Sequence, residues 1–439
     1  MLGKGAAIFI IKVAGTVTLL LANVMMNRIA GFESFGQYVF IMGLVNILGV
    51  FICFGGDTYL KRELARIEPT TINSDIKVGE KISLMVRQTC ALWIPCIVLV
   101  GIYFIYFSER QFSSGYLTLV LVGLVLMMTS MIRLTSGALI GLSGVLYEAT
   151  ISSLIKPLLV IFMLCILYVY YVYSPSALEG RNGLLIVQFL MLCSIFICAL
   201  LLLRRKYEVK TWSLLAKLQP QKKMFRSMSG YLVLCFPLAL VSSTVILERN
   251  VDIIMLGSLN NTDSSALYYV STRISAFFLL PLFVLNSIAL PIISRSFGEG
   301  EMVGVEKNAK KVSAYSSVIT AVILVFLLFF GKPALLLFGE EYSSAYYPML
   351  ILCIGNFIRT LIGPVQMVGL MCNMERTVSK ANMIGLLVNV MLNIVLIPIM
   401  GLYGAVIATI TTRLGRTCFV SAELTRKIGV RVGVISLSR

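Results

Sequence analysis

The chain has 439 residues, of which 58% are hydrophobic and 13% charged, with a net charge of +17 and no histidine. Without imidazole there are no His metal ligands, His general bases or Ser-His-Asp arrangements. So small a charged fraction leaves no basic soluble domain for nucleic acid, no GxxxxGK[ST] loop marks an ATPase, and no loop is long enough for a catalytic domain, so neither an enzyme nor a resident cofactor is expected.

Apolar segments of about 20 residues, enough to cross a ~30 Å hydrocarbon core as helix, recur along the whole chain. In order they are predicted near 6–30, 35–57, 83–107, 115–140, 149–172, 183–203, 231–257, 265–293, 313–331, 344–371, 380–400 and 402–420. The ~10-residue alternating strands of a membrane barrel do not occur, so the expected class is all-α and polytopic with about twelve transmembrane helices. The ten cysteines fall within or at the edges of these spans without CxxC spacing and read as small core residues.

Lysine and arginine concentrate in alternate loops, at 58–82, 204–230 and 294–312, and after residue 421. The positive-inside rule then puts both termini in the cytoplasm. Tyrosines at 103–106, 168–173 and 346–347 fall at the opposite interface, as an aromatic belt would. The basic stretch 204–230 divides the chain into a six-helix bundle at 1–203 and another at 231–420, with 421–439 as a cytoplasmic tail. Trp212, Leu214, Leu215 and Leu218 among its lysines suit an amphipathic helix on the inner leaflet, the alternative being a solvated loop. Arg133 before LTSGALIGLSGVLYEAT and Arg359 before TLIGPVQMVGLMCNMERT suggest a parallel repeat of the two halves.

Charge inside the spans is costly and usually faces a cavity or a partner. The cations are Lys12, Arg133, Lys156, Arg249, Arg273, Arg359 and Arg413, against Asp57, Glu248 and Asp252. Some pairing is expected: Asp252 with Arg273 across a hairpin, Lys12 with Asp57, and Arg249 with Asp252 at i,i+3. Arg413 is near enough to the inner surface to snorkel. Arg133, Lys156 and Arg359 lie on helices whose neighbours lack acids, although Glu148 stands at the inner interface. The surplus invites an anionic ligand, and a guanidinium fork suits phosphate. Glu248 and Asp252, one turn apart, are candidates for H+ or Na+ coupling, with Asp57 a third; the alternative is that arginines hold both ionised. Pro237, Pro281, Pro291, Pro364 and Pro398 mark bends, either moving hinges or static kinks.

Three stretches carry a family resemblance: NRIAGFESFGQYVFIMGLVNILGVFICFGGDTYLKRELA, ERNVDIIMLGSLNNTDSSALYYVSTRIS and IPIMGLYGAVIATITT. The chain resembles the polysaccharide flippases that move O-antigen and related lipid-linked repeat units, in the multidrug/oligosaccharidyl-lipid/polysaccharide exporter superfamily. The resemblance implies two six-helix bundles, V-shaped around a central cationic cavity, working by alternating access in the bacterial cytoplasmic (inner) membrane. It implies an undecaprenyl-diphosphate oligosaccharide as substrate, membrane lipids around it, and polysaccharide polymerase machinery as a further partner. Lys12 and Arg273 match positions where related flippases place basic groups; Arg133, Lys156, Arg249 and Arg359 rest on the charge count alone. Drug exporters of the same superfamily commonly carry an acid in helix 1, where this chain has Lys12; a cation-coupled multidrug exporter is the alternative reading.

Overall fold

The computed structural model describes residues 2–65, 74–107, 116–142, 145–173, 180–207, 235, 239, 243–244 and 246–434. Among them there is no strand. The amphipathic linker expected at 204–230 lies outside the described residues from 208 onward.

The chain separates into two compact units, Met1–Asn250 and Val251–Arg439. That boundary falls inside the helix predicted at 231–257. In the first unit the helices are α1 (Leu2–Ala30), α2 (Phe32–Cys53), α3 (Gly56–Leu64), α4 (Ser74–Phe107), α5 (Tyr116–Gly141) and α6 (Val145–Thr150). A π-helical turn, Ile151–Ile155, joins α6 to α7 (Lys156–Tyr173), and α8 (Gly180–Tyr207) follows. Helix α9, helical over residues 246–259, crosses the boundary.

The segment drawn as one helix to residue 57 breaks early. Phe54 and Gly55 both have positive φ, 40° and 75°, and start the separate short helix α3. That helix seats against α5 through Gly137 and Gly141, a small-xxx-small pair: a Cβ on Gly137 would lie 2.5 Å from the Asp57 carbonyl oxygen. Tyr59, Leu60, Leu64, Met85, Leu134 and Ala138 close the core there.

The second unit contains α10 (Thr262–Phe278), α11 (Leu280–Gly298), α12 (Met302–Leu336), a 3₁₀ turn Glu340–Ala345, α13 (Tyr346–Ile362), α14 (Val365–Met371), α15 (Glu375–Met400) and α16 (Leu402–Ile428). Two predicted spans are broken. The span predicted at 265–293 bends by 42° between Thr262–Phe278 and Leu280–Asn286, where Pro281 removes a donor. The span predicted at 344–371 stops at Gly363, φ +93°, before Pro364. Pro291 and Pro398, by contrast, sit inside helices that continue past them. Helix α16 runs to Ile428, so the stretch after 420 begins as helix.

Nine helices among the described residues are long and apolar enough to cross a membrane, ten if the bent pair is one span. Helix α16 is not among them, because Thr409, Thr411, Thr412, Arg413 and Arg416 dilute its apolar content. The polarity of α12 is inverted relative to a soluble helix. Ser313, Ser316, Ser317 and Thr320 are buried, whereas Val318, Val322, Val325 and Phe329 are exposed. Such a surface is stable only in hydrocarbon, so the chain is a multi-pass membrane protein. At 35 residues α12 is about 52 Å long, so its first turns, with Glu306, Lys307, Lys310 and Lys311, reach past a ~30 Å core.

Candidate functional site

Asp252 on α9 is 1% exposed, the most deeply enclosed of the candidate carboxylates. An ionised group so buried demands partners, and three neutral side chains supply them. Tyr268 of α10 donates to Oδ2 at 2.5 Å, Thr409 of α16 donates to Oδ2 at 2.8 Å, and Asn393 of α15 donates to Oδ1 at 2.6 Å. The Tyr268 and Thr409 hydroxyls are also 2.7 Å apart. Asn389, one turn before Asn393, accepts from it at 3.2 Å, while Asn393 Oδ1 has no hydrogen-bond partner. Four helices thus place one carboxylate, two hydroxyls and two amide oxygens in a single buried group.

This donor set is hard oxygen with one formal negative charge, which suits a proton or a monovalent cation such as Na+. A divalent site needs more charge. Among the described residues no three His, Cys, Asp or Glu side chains gather to form one. The free Asn393 carbonyl oxygen is a further acceptor that a cation would satisfy.

The cage corrects the expected ion pairs. Asp252 bonds to neither Arg273 nor Arg249. Arg273 is exposed on α10, its guanidinium 4.5 Å over the Tyr269 ring, and among the described residues it forms no ion pair. Asp57 pairs with Lys61, at 3.3 Å in the first turns of α3, and so has a local structural partner; the Lys12 side chain lies outside the described ones. The break after Cys53 explains this, because it puts Asp57 and Lys61 at i,i+4 on a new helix.

Arg133 on α5 donates to the Asn46 carbonyl of α2 at 3.1 Å and lies over Gly49, where a Cβ would be 3.7 Å from its Cζ. Cys53 and Asp57 are its electrostatic neighbours, and among the described residues it forms no ion pair. Lys156, Glu248, Arg249 and Arg359 are each partnered. Arg249 is exposed and Glu248 half-buried. Arg359 stands in the last turn of α13 and not mid-helix, since the span ends at Ile362. The carbonyls of a helix C-terminus carry partial negative charge, which counting carboxylates overlooks.

Lys156 borders a cleft of about 210 Å³ between α1 and the π turn, with Gly15, Thr16, Leu19, Ser152, Ser153 and Pro157. The backbones meet there: a Cβ on Gly15 would lie 1.6 Å from the Ser153 carbonyl oxygen. A second buried cation went unrecognised in the sequence. Arg181, 2% exposed in the first turn of α8, donates to Gln37 at 2.8 Å beside Thr118. In the sequence only its companions at helix starts, Gln37 and Thr118, signal this burial.

These features define a multi-pass all-α membrane fold with a caged carboxylate in its second unit. Residues 237–395 match the MatE family model. Among solved structures the chain is similar to an inward-facing multidrug resistance MATE family transporter of the MOP superfamily, at 12% identity over 94% of this chain and 95% of that one, TM-score 0.65. It is similar to the lipid II flippase MurJ in an inward closed conformation, at 15% identity over 95% and 87%, TM-score 0.67. An outward-facing MATE family multidrug resistance transporter matches at 14% identity over 96% of both chains, TM-score 0.55. At these identities what is shared is the fold. No curated protein matches the chain.

Proposed function

We propose that the chain is a flippase of this superfamily, moving an undecaprenyl-diphosphate-linked oligosaccharide across the bacterial cytoplasmic membrane by alternating access, with a proton or Na+ at Asp252 as coupling ion. The observation that carries the proposal is the segregation of charge. Asp252 is withdrawn into neutral donors, so it pairs with neither Arg273 nor Arg133, and neither arginine forms an ion pair among the described residues. A guanidinium stacked on an aromatic ring and open on one side presents its fork to phosphate. The basic ends of α12 and α16 support termini in the cytoplasm.

The test is chemical. Cells lacking the protein should accumulate diphosphate-linked lipid oligosaccharide, and wild-type chain but not Arg273→Ala should clear it at equal expression. A second reading, a cation-coupled multidrug exporter, is favoured by the similarity to MATE transporters. It requires drug efflux by the purified protein and no accumulation of the lipid intermediate.

A further inference from the structure

The break between α13 and α14 creates a hydrogen-bonding problem that a distant segment solves. In a continuous helix the Thr360 carbonyl would accept from residue 364, but Pro364 has no N–H. The Val365 N–H turns to the Gly363 carbonyl at 2.9 Å, so the Leu361 carbonyl is orphaned as well. Buried orphan carbonyls need replacement donors. Ser313 of α12 gives its hydroxyl to Thr360 O at 2.7 Å and lies 3.1 Å from Leu361 O. The Val434 N–H donates to Leu361 O at 3.0 Å.

Residues 429–434 deliver that second donor. They leave α16 through Gly429, φ +70°, and cross the break as irregular chain that bends at Gly433 and Val434. Val430 and Val432 are 1% exposed, in one core with Ile362, Val365 and Val368. The Arg431 N–H donates to Glu306 Oε2 on α12 at 3.1 Å. The two backbones interlock through glycines: a Cβ on Gly363 would lie 2.9 Å from the Val432 oxygen, and one on Gly433 2.6 Å from the Ile362 oxygen. Leu279 and Leu282, at the other broken helix, belong to the same core.

We infer that segment 429–434 is a releasable latch that sets the angle between α13 and α14. Engaged, it satisfies the carbonyl freed by Pro364 and fills the core between the two breaks. Released, it leaves α14, seven residues long, free to tilt on Gly363. Release is local, because the latch is held by two backbone N–H groups, a long Thr425 hydroxyl contact to the Val430 carbonyl and two valines, whereas α15 and α16 pack along their lengths. The inference does not depend on which cargo the protein carries.

Hydrogen exchange of the full chain in lipid nanodiscs tests it. In the wild type, amides of 430–434 and of α14 should open together, faster than those of α15. Glu306→Ala removes a charged acceptor and should speed both by about tenfold, leaving the α15 peptide with Asn389 and Asn393 unchanged; Lys311→Ala, an exposed position on the same helix, should move neither. If the segment loosens while α14 does not, or the whole unit accelerates together, the latch is refuted. If Glu306→Ala changes nothing, Val432→Asp must accelerate segment and α14 alone, or the inference fails.

Discussion

Thr409→Val is the most informative perturbation of the Asp252 cage. Valine fills nearly the same volume but removes the hydroxyl that donates to Asp252 Oδ2 at 2.8 Å and lies 2.7 Å from the Tyr268 hydroxyl. The carboxylate then keeps two of its three donors. What weakens cation binding is the lost oxygen ligand: a polar contact to a charged group contributes about 1.5–3 kcal/mol, and every ~1.4 kcal/mol is a factor of ten in affinity. The hydroxyl is also one of the oxygens that would ligate Na+. The half-saturating sodium concentration should therefore rise by about ten- to hundredfold. The assay is sodium-dependent thermal stabilisation of the purified chain, since a ligand that binds the folded state at about a hundred times its Kd adds ~2.7 kcal/mol. Asp252→Asn should abolish the sodium response entirely, and Thr409→Ser should restore it. If the wild type responds to sodium and Thr409→Val responds identically, the cage is not the cation site. If neither sodium nor a pH step changes the wild-type melting temperature, ion coupling at Asp252 fails.

Arg273→Ala should lower transport at least tenfold with unchanged melting temperature, because the guanidinium is exposed and rests only against Tyr269; equal loss of folded protein would make the arginine structural. Gly15→Ala should cost about 1–3 kcal/mol or more, since its Cβ would meet the Ser153 carbonyl of the π turn at 1.6 Å; thermal unfolding in detergent reads this, and wild-type stability would refute the close approach. The Lys310 ammonium, aided by the Arg431 N–H and opposed by partial burial, holds the Glu306 carboxyl below its ordinary value of 4.5. A depressed carboxylate stabilises the fold above its unfolded value and loses that contribution as pH falls through the lower folded value. Exchange protection of 430–434 should accordingly persist above about pH 4.5 and decline below it, and in Glu306→Gln that decline should vanish.

The helices were legible because hydrocarbon imposes one simple requirement, a long apolar run, and nearly every run has it. The breaks were legible only in part. Pro281 and Pro364 interrupt their helices and Pro291 and Pro398 do not. The difference at Pro364 is local: Gly363 precedes it with φ +93°, and Ser313 and Val434 stand ready to satisfy the freed carbonyls. A proline bends a helix sharply where something else will take its hydrogen bonds, and that partner lies dozens of residues away in sequence.

Counting charges found Asp252 but mistook its partners, for a physical reason. In water an aspartate seeks an arginine; in a dry interior a full ion pair must repay two desolvations, whereas hydroxyl and amide donors stabilise one charge and desolvate little else. Asn389, Asn393 and Thr409 were therefore the residues to read, neutral polar groups with no other reason to sit in apolar helices, two of them at i,i+4 on α15. The same logic separates the arginines. Arg133 settles on the Asn46 carbonyl, a partner invisible to a tally of acids, and Arg359 stands partnered in the last turn of its helix, whereas Arg273 rests on a ring that leaves its fork open. Of the cations predicted for phosphate, Arg273 is the one whose environment in the fold supplies stacking and no competing acceptor among the described residues, so it should dominate recognition of an anionic headgroup. Arg133→Gln, which can still reach a carbonyl, should then reduce transport less than Arg273→Gln does, and the reverse order at equal expression would move the phosphate contact into the first unit.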